Sequence, residues 1–338
     1  MALPATQFLL NSSDESYCLD DYEGGVPRWC TGCGDLAIRT AVQRLCRDEQ
    51  LPLEKVVFVS GIGCSSRFPH YMKTYGFHGL HGRPLPVAEG IKMRRPDLHV
   101  FVNTGDGDCC SIGAAHWIHA IRYNMNMTVL LHDNQIYGLT KNQVSPTSPK
   151  GLTSNTTPRG NTLEPLNPLS ATLGVANSSF VAQVVDWAPD LLLEILSQAF
   201  RHRGFSFVRV LQRCPEFLPT HFDPWLQDPD ALLVLTHEDT IQETPNLAKT
   251  YRHREEHDPS NLNRAREIAS MTERIPVGIL HRDENVPCYE DLSEPQGVFT
   301  PEVIRAGLEE EFDKFTIAPA DGAGADAHAR GPSGGFDR

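Results

Sequence analysis

The stretch LHVFVNTGDGD, Leu98–Asp108, decides how this chain folds. A short run rich in β-branched and aromatic residues gives way to two glycines alternating with two aspartates. That pattern reads as a buried strand running into a tight turn. Beyond it, Ser111–Arg122 has helical periodicity, with Ile112, Ala115, Ile118 and Ile121 roughly on one side. MTVLLHDN, Met127–Asn134, is then a second buried strand. Strand, helix and strand at this spacing form a parallel crossover. Working outward, VVFVSGIG (Val56–Gly63) and FSFVRVLQRC (Phe205–Cys214) read as two more strands. PDLLLEILSQAF (Pro189–Phe200) reads as a helix opened by proline. Asp35 reads as the N-cap of another, with Ile38, Ala41, Val42, Leu45 and Cys46 on its apolar face. The expected fold class is α/β, a doubly wound, mostly parallel sheet covered on both faces.

The chain has 338 residues, 40% of them hydrophobic and 22% charged, which is ordinary for a globular protein. A net charge of −13 argues against nucleic acid or an anionic membrane as a partner. No apolar run reaches the roughly 20 residues of a membrane span, and no basic segment precedes the first apolar run, so neither an anchor nor a signal peptide is expected. Nine cysteines in such a chain suggest a reducing cytoplasm, where thiols serve metals or cores. The expected organisation is an N-terminal arm over 1–28, an α/β domain over 29–219, an irregular extension over 220–315 that meets a partner subunit, and a disordered tail over 316–338. Within the domain, Tyr137–Gly160 is a long loop rich in Ser, Thr, Pro, Gly and Asn, a length that usually carries function. TYRHREEHDPSNLNRAREIAS, in the extension, reads as a solvated helix.

Ligands of open parallel sheets bind beyond the carboxyl ends of the strands. Those ends deliver Gly63-Cys64-Ser65, then Gly105-Asp106-Gly107-Asp108, then Asp133-Asn134, then Arg213-Cys214-Pro215. One crossover separates Asp106 from Asn134, so neighbouring strands would bring both side chains together. Hard oxygen donors of this kind suit Mg²⁺, which takes its remaining oxygens from phosphates. Glycine lets backbone approach such an anion, and the following helix points its amino end at it. The competing reading is a tight turn with a capping aspartate. Cys30 and Cys33, in WCTGCGD, form a close pair, while Cys64 and Cys214 arrive singly. Four thiolates suffice for a [4Fe–4S] cluster or for a structural zinc, and spacing leaves both open. Cys46 reads as core, Cys109 and Cys110 as packing in the turn, and Cys18 and Cys288 as partnerless. Arg67, His81 and Arg83 are the cations near this edge, and an arginine suits a substrate carboxylate.

The combination resembles the β subunits of 2-oxoacid:ferredoxin oxidoreductases. It does so through WCTGCGD, SGIGCSSRFPHYMKTYGFHGLHGRPLPVAEGIK, NTGDGD, HDNQIYGLTKNQ and RCPEF, with VGILHRDENVPCYEDL a weaker match; GCSSRFPHYMKTYGFHGLHGR is most similar to the 2-oxoglutarate branch. The resemblance implies a thiamine-diphosphate-binding fold, with Gly63, Cys64, Ser65, Gly105, Asp106, Gly107, Asp108, Asn134, Ile136, Gly138 and Leu139 around the cofactor. Asp106, Asn134 and the carbonyl of Ile136 would hold Mg²⁺, and Leu139 would bend the cofactor. Cys30, Cys33, Cys64 and Cys214 would hold one [4Fe–4S] cluster, and His81, Arg83 and Arg67 would serve the reaction. The implied reaction is coenzyme A-dependent oxidative decarboxylation of 2-oxoglutarate to succinyl-CoA and CO₂, with electrons leaving to ferredoxin. It could run backward as CO₂ fixation. The implied partner is an α subunit in an α₂β₂ assembly that supplies the activating glutamate, because Glu89, in LPVAEGIK, reads as a structural helix residue. Rival readings are a pyruvate or broad 2-oxoacid enzyme, a non-redox thiamine enzyme half, and a zinc-stabilised binding module.

Overall fold

The computed structural model describes residues 16–237, 245–293 and 300–315. Nine strands form the sheet: β1 (Val56–Ser60), β2 (Tyr75–His78), β3 (His99–Gly105), β4 (Met127–Asp133), β5 (Phe180–Val185), β6 (Phe205–Leu211), β7 (Leu232–Thr236), β8 (His253–Glu256) and β9 (Ile275–Arg282), in spatial order 2-1-3-4-6-5-9-7-8. The four strands read from the sequence are β1, β3, β4 and β6, and they are contiguous. β1 to β6 are mutually parallel; β9 pairs antiparallel with β5, while β7 and β8 run parallel to β9. Central strands buried on both faces need continuous apolar runs, and β1, β4 and β5 are buried at every residue.

Helices cover both faces. α1 (Gly34–Asp48) and α5 (Pro189–Arg201) pack on one, with Ile38, Val42 and Leu45 meeting a core that includes Leu192, Ile195 and Leu196. α2 (Pro84–Arg94), α3 (Ala114–Tyr123), α4 (Pro168–Leu173) and α6 (Leu262–Ala269) lie on the other, through Leu85, Trp117, Leu169 and Ile268. The N-terminal arm is anchored by Tyr22, which is fully buried beside α1. Among the described residues, no helix is long and apolar enough to cross a membrane.

Four local expectations change. α3 starts at Ala114, after a π-helical turn over Asp108–Ile112, and the shifted phase buries Trp117, Ala120 and Ile121 while Ile112 and Ile118 stay exposed. Asp35 does not cap α1; Cys33 holds the cap position, and the Asp35 carboxylate turns inward. Residue 219 is not a boundary between compact units: one unit runs to Ser293, and β7, β8 and β9 extend the sheet from within the segment expected to be irregular. The stretch read as a solvated helix holds edge strand β8 and then α6, whose Ala265, Ile268 and Ala269 are buried. A second unit holds α7 (Pro301–Asp313), capped by the Thr300 hydroxyl and exposed throughout. The expected tail over 316–338 lies outside the described residues.

Candidate active site

The pairing of β3 with β4 sets Gly105 against His132, so Asp106 and Asn134 leave the sheet at one edge. There they line a cavity of about 510 Å³, together with Gly63, Cys64, Ser65, His81, Gly105, Gly107, Asp108, Ile136, Gly138 and Leu139. Ile62, His132, Tyr137, Thr140 and Gln143 complete the lining and were missed in the sequence. Every expected cofactor-contacting position is therefore at this cavity. Leu139 is 45% exposed, an apolar side chain presented rather than packed.

Asp106 is buried in the cavity floor. Burial, and then the negative charge of Asp133, hold its carboxyl well above the usual carboxylate range. Thr147, from the long loop after β4, has its hydroxyl 2.7 Å from Asp106 Oδ2 and 2.8 Å from Asp133 Oδ1. One hydroxyl proton cannot serve both carboxylates, and the further hydrogen bonds to Asp106 from Ser145 and the Gly107 backbone do not offset its burial. Asp133 is neutralised from its other side by Arg209 of β6, with Nη2 at 2.6 Å. Asp106 has no such partner among the described residues. Asn134 Oδ1 accepts from the Ile136 N–H at 3.1 Å, a turn that fixes both residues at the cavity wall. A divalent cation fits this donor set: one high-energy carboxylate, one amide oxygen and a backbone carbonyl.

Asp108 lines the cavity, and its carboxylate is also committed to the surrounding loops. Its Oδ1 accepts from the backbone N–H groups of Gly82 at 2.6 Å and Ile62 at 3.2 Å, and its Oδ2 from the Thr104 hydroxyl at 2.8 Å. The carboxylate is saturated, and it ties the loops after β1 and β2 to the end of β3. Gly61 is required by this knot, because a Cβ there would overlap the Asp108 carboxylate. His81 Nδ1 lies 2.8 Å from Asp108 Oδ1, at ion-pair distance, and its ring borders the cavity beside Tyr137. Arg83 is not among the lining residues; it donates to the carbonyls of Gly82 and Ile112 and heads α2. Arg67 is also outside the lining. Its guanidinium stacks 5.9 Å from the Tyr71 ring centroid and lies close enough to Cys64 for its charge to favour that thiolate.

The four cysteines converge. Burial, then Asp35, Cys214 and Cys30, push the Cys64 thiol up to about 12. Burial, then Asp35, with Cys64 among the further causes, raise Cys33; burial chiefly raises Cys214, with Cys30 a weaker neighbour. The pair of Cys30 and Cys33 is held against the end of β6 by the Gly34 N–H donating to the Arg213 carbonyl at 3.1 Å. Trp29 Nε1 donates to the Cys64 carbonyl at 2.7 Å, and Gln212 Nε2 to Cys33 Sγ at 3.3 Å. Among the described residues, no three His, Cys, Asp or Glu side chains are grouped tightly enough to share one ion. The thiols are near enough for their charges to interact, Cys64 with Cys30, Cys33 and Cys214, and Cys30 with Cys214. Cys33 sits at the amino end of α1, whose dipole favours anionic sulfur. Cys64 belongs to both sites: it lines the cavity and its carbonyl is gripped by the thiol loop.

The remaining cysteines are placed elsewhere. Cys46 is buried in the core and Cys109 and Cys110 in the π turn. Cys288 is not partnerless: it is buried and its Sγ donates to Glu290 Oε2 at 2.7 Å. Glu89 is not a lining residue; burial raises its carboxyl to about 7, and its buried Oε1 has no hydrogen-bond partner among the described residues.

Fold and site together define a thiamine-diphosphate-binding α/β domain. Residues 61–210 match the family described as thiamine pyrophosphate enzyme, C-terminal TPP binding domain, and residues 247–296 match the family of the C-terminal part of the pyruvate ferredoxin oxidoreductase β chain. The 2-oxoacid:ferredoxin oxidoreductase subunit beta of Sulfolobus sp is 37% identical over 265 residues, 78% of this chain and 84% of that protein. The 2-oxoglutarate oxidoreductase subunit KorB of Mycobacterium tuberculosis is 50% identical over 196 residues, 58% of this chain and 52% of that protein. A solved structure of 2-oxoglutarate:ferredoxin oxidoreductase from Magnetococcus marinus, with 2-oxoglutarate, coenzyme A and succinyl-CoA bound, superposes with a TM-score of 0.73 at 34% identity, covering 87% of this chain and 97% of that one. The chain belongs to the β subunits of the 2-oxoacid:ferredoxin oxidoreductases.

Proposed function

We propose that this chain is the cofactor-bearing subunit of a coenzyme A-dependent 2-oxoglutarate:ferredoxin oxidoreductase. Asp106, Asn134 and the Ile136 carbonyl would hold Mg²⁺ against the diphosphate of thiamine diphosphate. Cys30, Cys33, Cys64 and Cys214 would hold one [4Fe–4S] cluster. When bound, thiamine diphosphate supplies the nucleophilic carbon that lets a 2-oxoacid lose CO₂. The chain's own residues bind and orient. Thr147 steadies Asp106, Asp108 fixes the loops over the cavity, and Leu139 offers an apolar wall. The observation that carries the redox reading is Cys64, a cavity-lining residue with Cys30 and Cys214 among its electrostatic neighbours, which would leave electrons a short path. The products would be succinyl-CoA and CO₂, with electrons passing to ferredoxin, and strongly reduced ferredoxin would drive the reaction backward.

The choice of 2-oxoglutarate rests on the substrate named for KorB and for the Magnetococcus structure. A broader 2-oxoacid specificity is the second reading, favoured by the name of the Sulfolobus relative. The carboxylates lining the cavity, Asp106 and Asp108, are already engaged, so the group that activates the cofactor would come from an α subunit in an α₂β₂ assembly. The test is anaerobic co-expression with that partner, then a screen of 2-oxoacids with coenzyme A and an electron acceptor. A kcat/KM for 2-oxoglutarate at least tenfold above pyruvate is expected. Equal or higher values for pyruvate would refute the substrate assignment, and full activity of the isolated chain would refute the need for a partner.

A further inference from the structure

Behind the cavity runs a chain of buried polar side chains that ends on a cysteine of the thiol set. Asn103 Nδ2, on β3, donates to His132 Nε2, on β4, at 3.0 Å. A ring nitrogen that accepts is unprotonated, so the His132 proton sits on Nδ1 and is donated to Asp35 Oδ1, 2.7 Å away on the first turn of α1. Asp35 Oδ2 then accepts from the Cys33 thiol, with Sγ at 3.6 Å, a contact that becomes carboxylate beside thiolate once Cys33 is a metal ligand. Both side chains of the central pair are 0% exposed. His132 also lines the cavity, so the pair spans the wall between the two sites.

We propose that Asp35, oriented by His132, is a positioning residue that sets the reduction potential of the cluster carried by Cys30, Cys33, Cys64 and Cys214. The inference rests on the cluster reading above. A carboxylate in a water-excluded site beside a cluster opposes the additional negative charge of reduction and lowers the potential. The neighbouring charges do not cancel it. Asp186 is paired with Arg213 at 3.1 Å, and Arg67 stands on the Cys64 side of the set. The hydrogen bond from His132 holds the Asp35 carboxylate aimed at Cys33. A low potential is what an electron donor to ferredoxin requires, and this arrangement supplies it without altering a ligand.

The test uses the full chain loaded anaerobically with iron and sulfide. Iron and sulfide per chain are measured first, then the potential, by reductive titration followed by electron paramagnetic resonance. Asp35→Asn keeps the shape and removes the charge. It is expected to hold a full cluster that is easier to reduce, with the reduced-to-oxidised ratio at fixed poise raised about tenfold, about 59 mV for one electron. Asp35→Glu should restore a potential close to that of the parent. His132→Gln, which releases the carboxylate, should shift the potential in the same direction as Asp35→Asn. A fully loaded Asp35→Asn with unchanged potential overturns the proposal. So does failure of both Asp35→Asn and His132→Gln to load, because the pair would then be scaffolding only. A parent chain that takes up no iron and sulfide would instead defeat the cluster reading itself.

Discussion

Asp106 is the buried carboxyl on which cofactor binding would depend. It is opposed by Asp133 and held by Ser145, Thr147 and the Gly107 backbone, which do not offset burial, and a divalent cation is the partner that would make its ionised form stable. Asp106→Ala is expected to weaken Mg²⁺-dependent thiamine diphosphate binding at least a hundredfold by calorimetry; undiminished affinity would remove the metal assignment. Gly61→Ala forces a methyl onto the Asp108 carboxylate and should cost about 1–3 kcal/mol, read as a lowered Tm. Glu89 gives a pH signature. Its folded pKa is raised from 4.5 to about 7 by burial, so the favourable contribution is present below pH 4.5 and is lost as pH rises through 7. Glu89→Gln should therefore leave Tm nearly unchanged at pH 4.5 and raise it at pH 8. The gain should be about 1 kcal/mol, reduced from the unscreened value because the group is partly solvated. That Asp106 and Asn134 leave the sheet at one edge was legible because a single crossover separates them, and Cys64 and Cys214 could be placed because each closely follows a readable strand. Thr147, His132 and Asp35 were not legible, because each finds its partner across tens of residues of chain, where no local pattern reports it.

Asn124 shows how elements are fastened to one another. It ends α3 in the left-handed conformation and is fully buried. Its Oδ1 accepts from the Phe205 N–H at 2.8 Å and the Ser179 hydroxyl at 2.6 Å, and its Nδ2 donates to the carbonyls of Val286 and Pro287. One side chain thus joins α3, the starts of β5 and β6, and the segment after β9. Asn124→Ala strands several buried groups and should destabilise by about 2–4 kcal/mol in urea unfolding, with little change in cofactor affinity. A loss below about 0.5 kcal/mol would show that water replaces these bonds. The elements that escaped the sequence reading have physical reasons. β2 is exposed along its length and β8 reads HREE, so neither has the apolar signature of a buried strand. β5, FVAQVV, is wholly buried, but it is short, carries the polar Gln183 and follows a helix of only six residues, α4, too short to show a period. The four strands that carry the site were readable because burial on both faces leaves little sequence freedom.

For the whole molecule, the sheet does not stop where the cofactor domain was expected to stop. β9 pairs with β5, so a chain cut at residue 219 would leave β5 as an open edge, apolar at every residue but Gln183. Residues 1–219 should aggregate on expression, whereas 1–293 should remain soluble and keep the α/β circular dichroism of the full chain; a soluble, cooperatively folding 1–219 would show that β7 to β9 are dispensable. One thiol set and one cofactor cavity, sharing Cys64, would act as a single redox site. The most direct measurement is anaerobic electron paramagnetic resonance of the chain assembled with its α partner, after adding 2-oxoglutarate and coenzyme A without any other reductant. A reduced [4Fe–4S] signal is expected in the parent and in Cys46→Ala, and none in Cys214→Ala. Substrate consumption with no cluster signal in the parent, or a full signal in Cys214→Ala that disappears in Cys109→Ala, would contradict it.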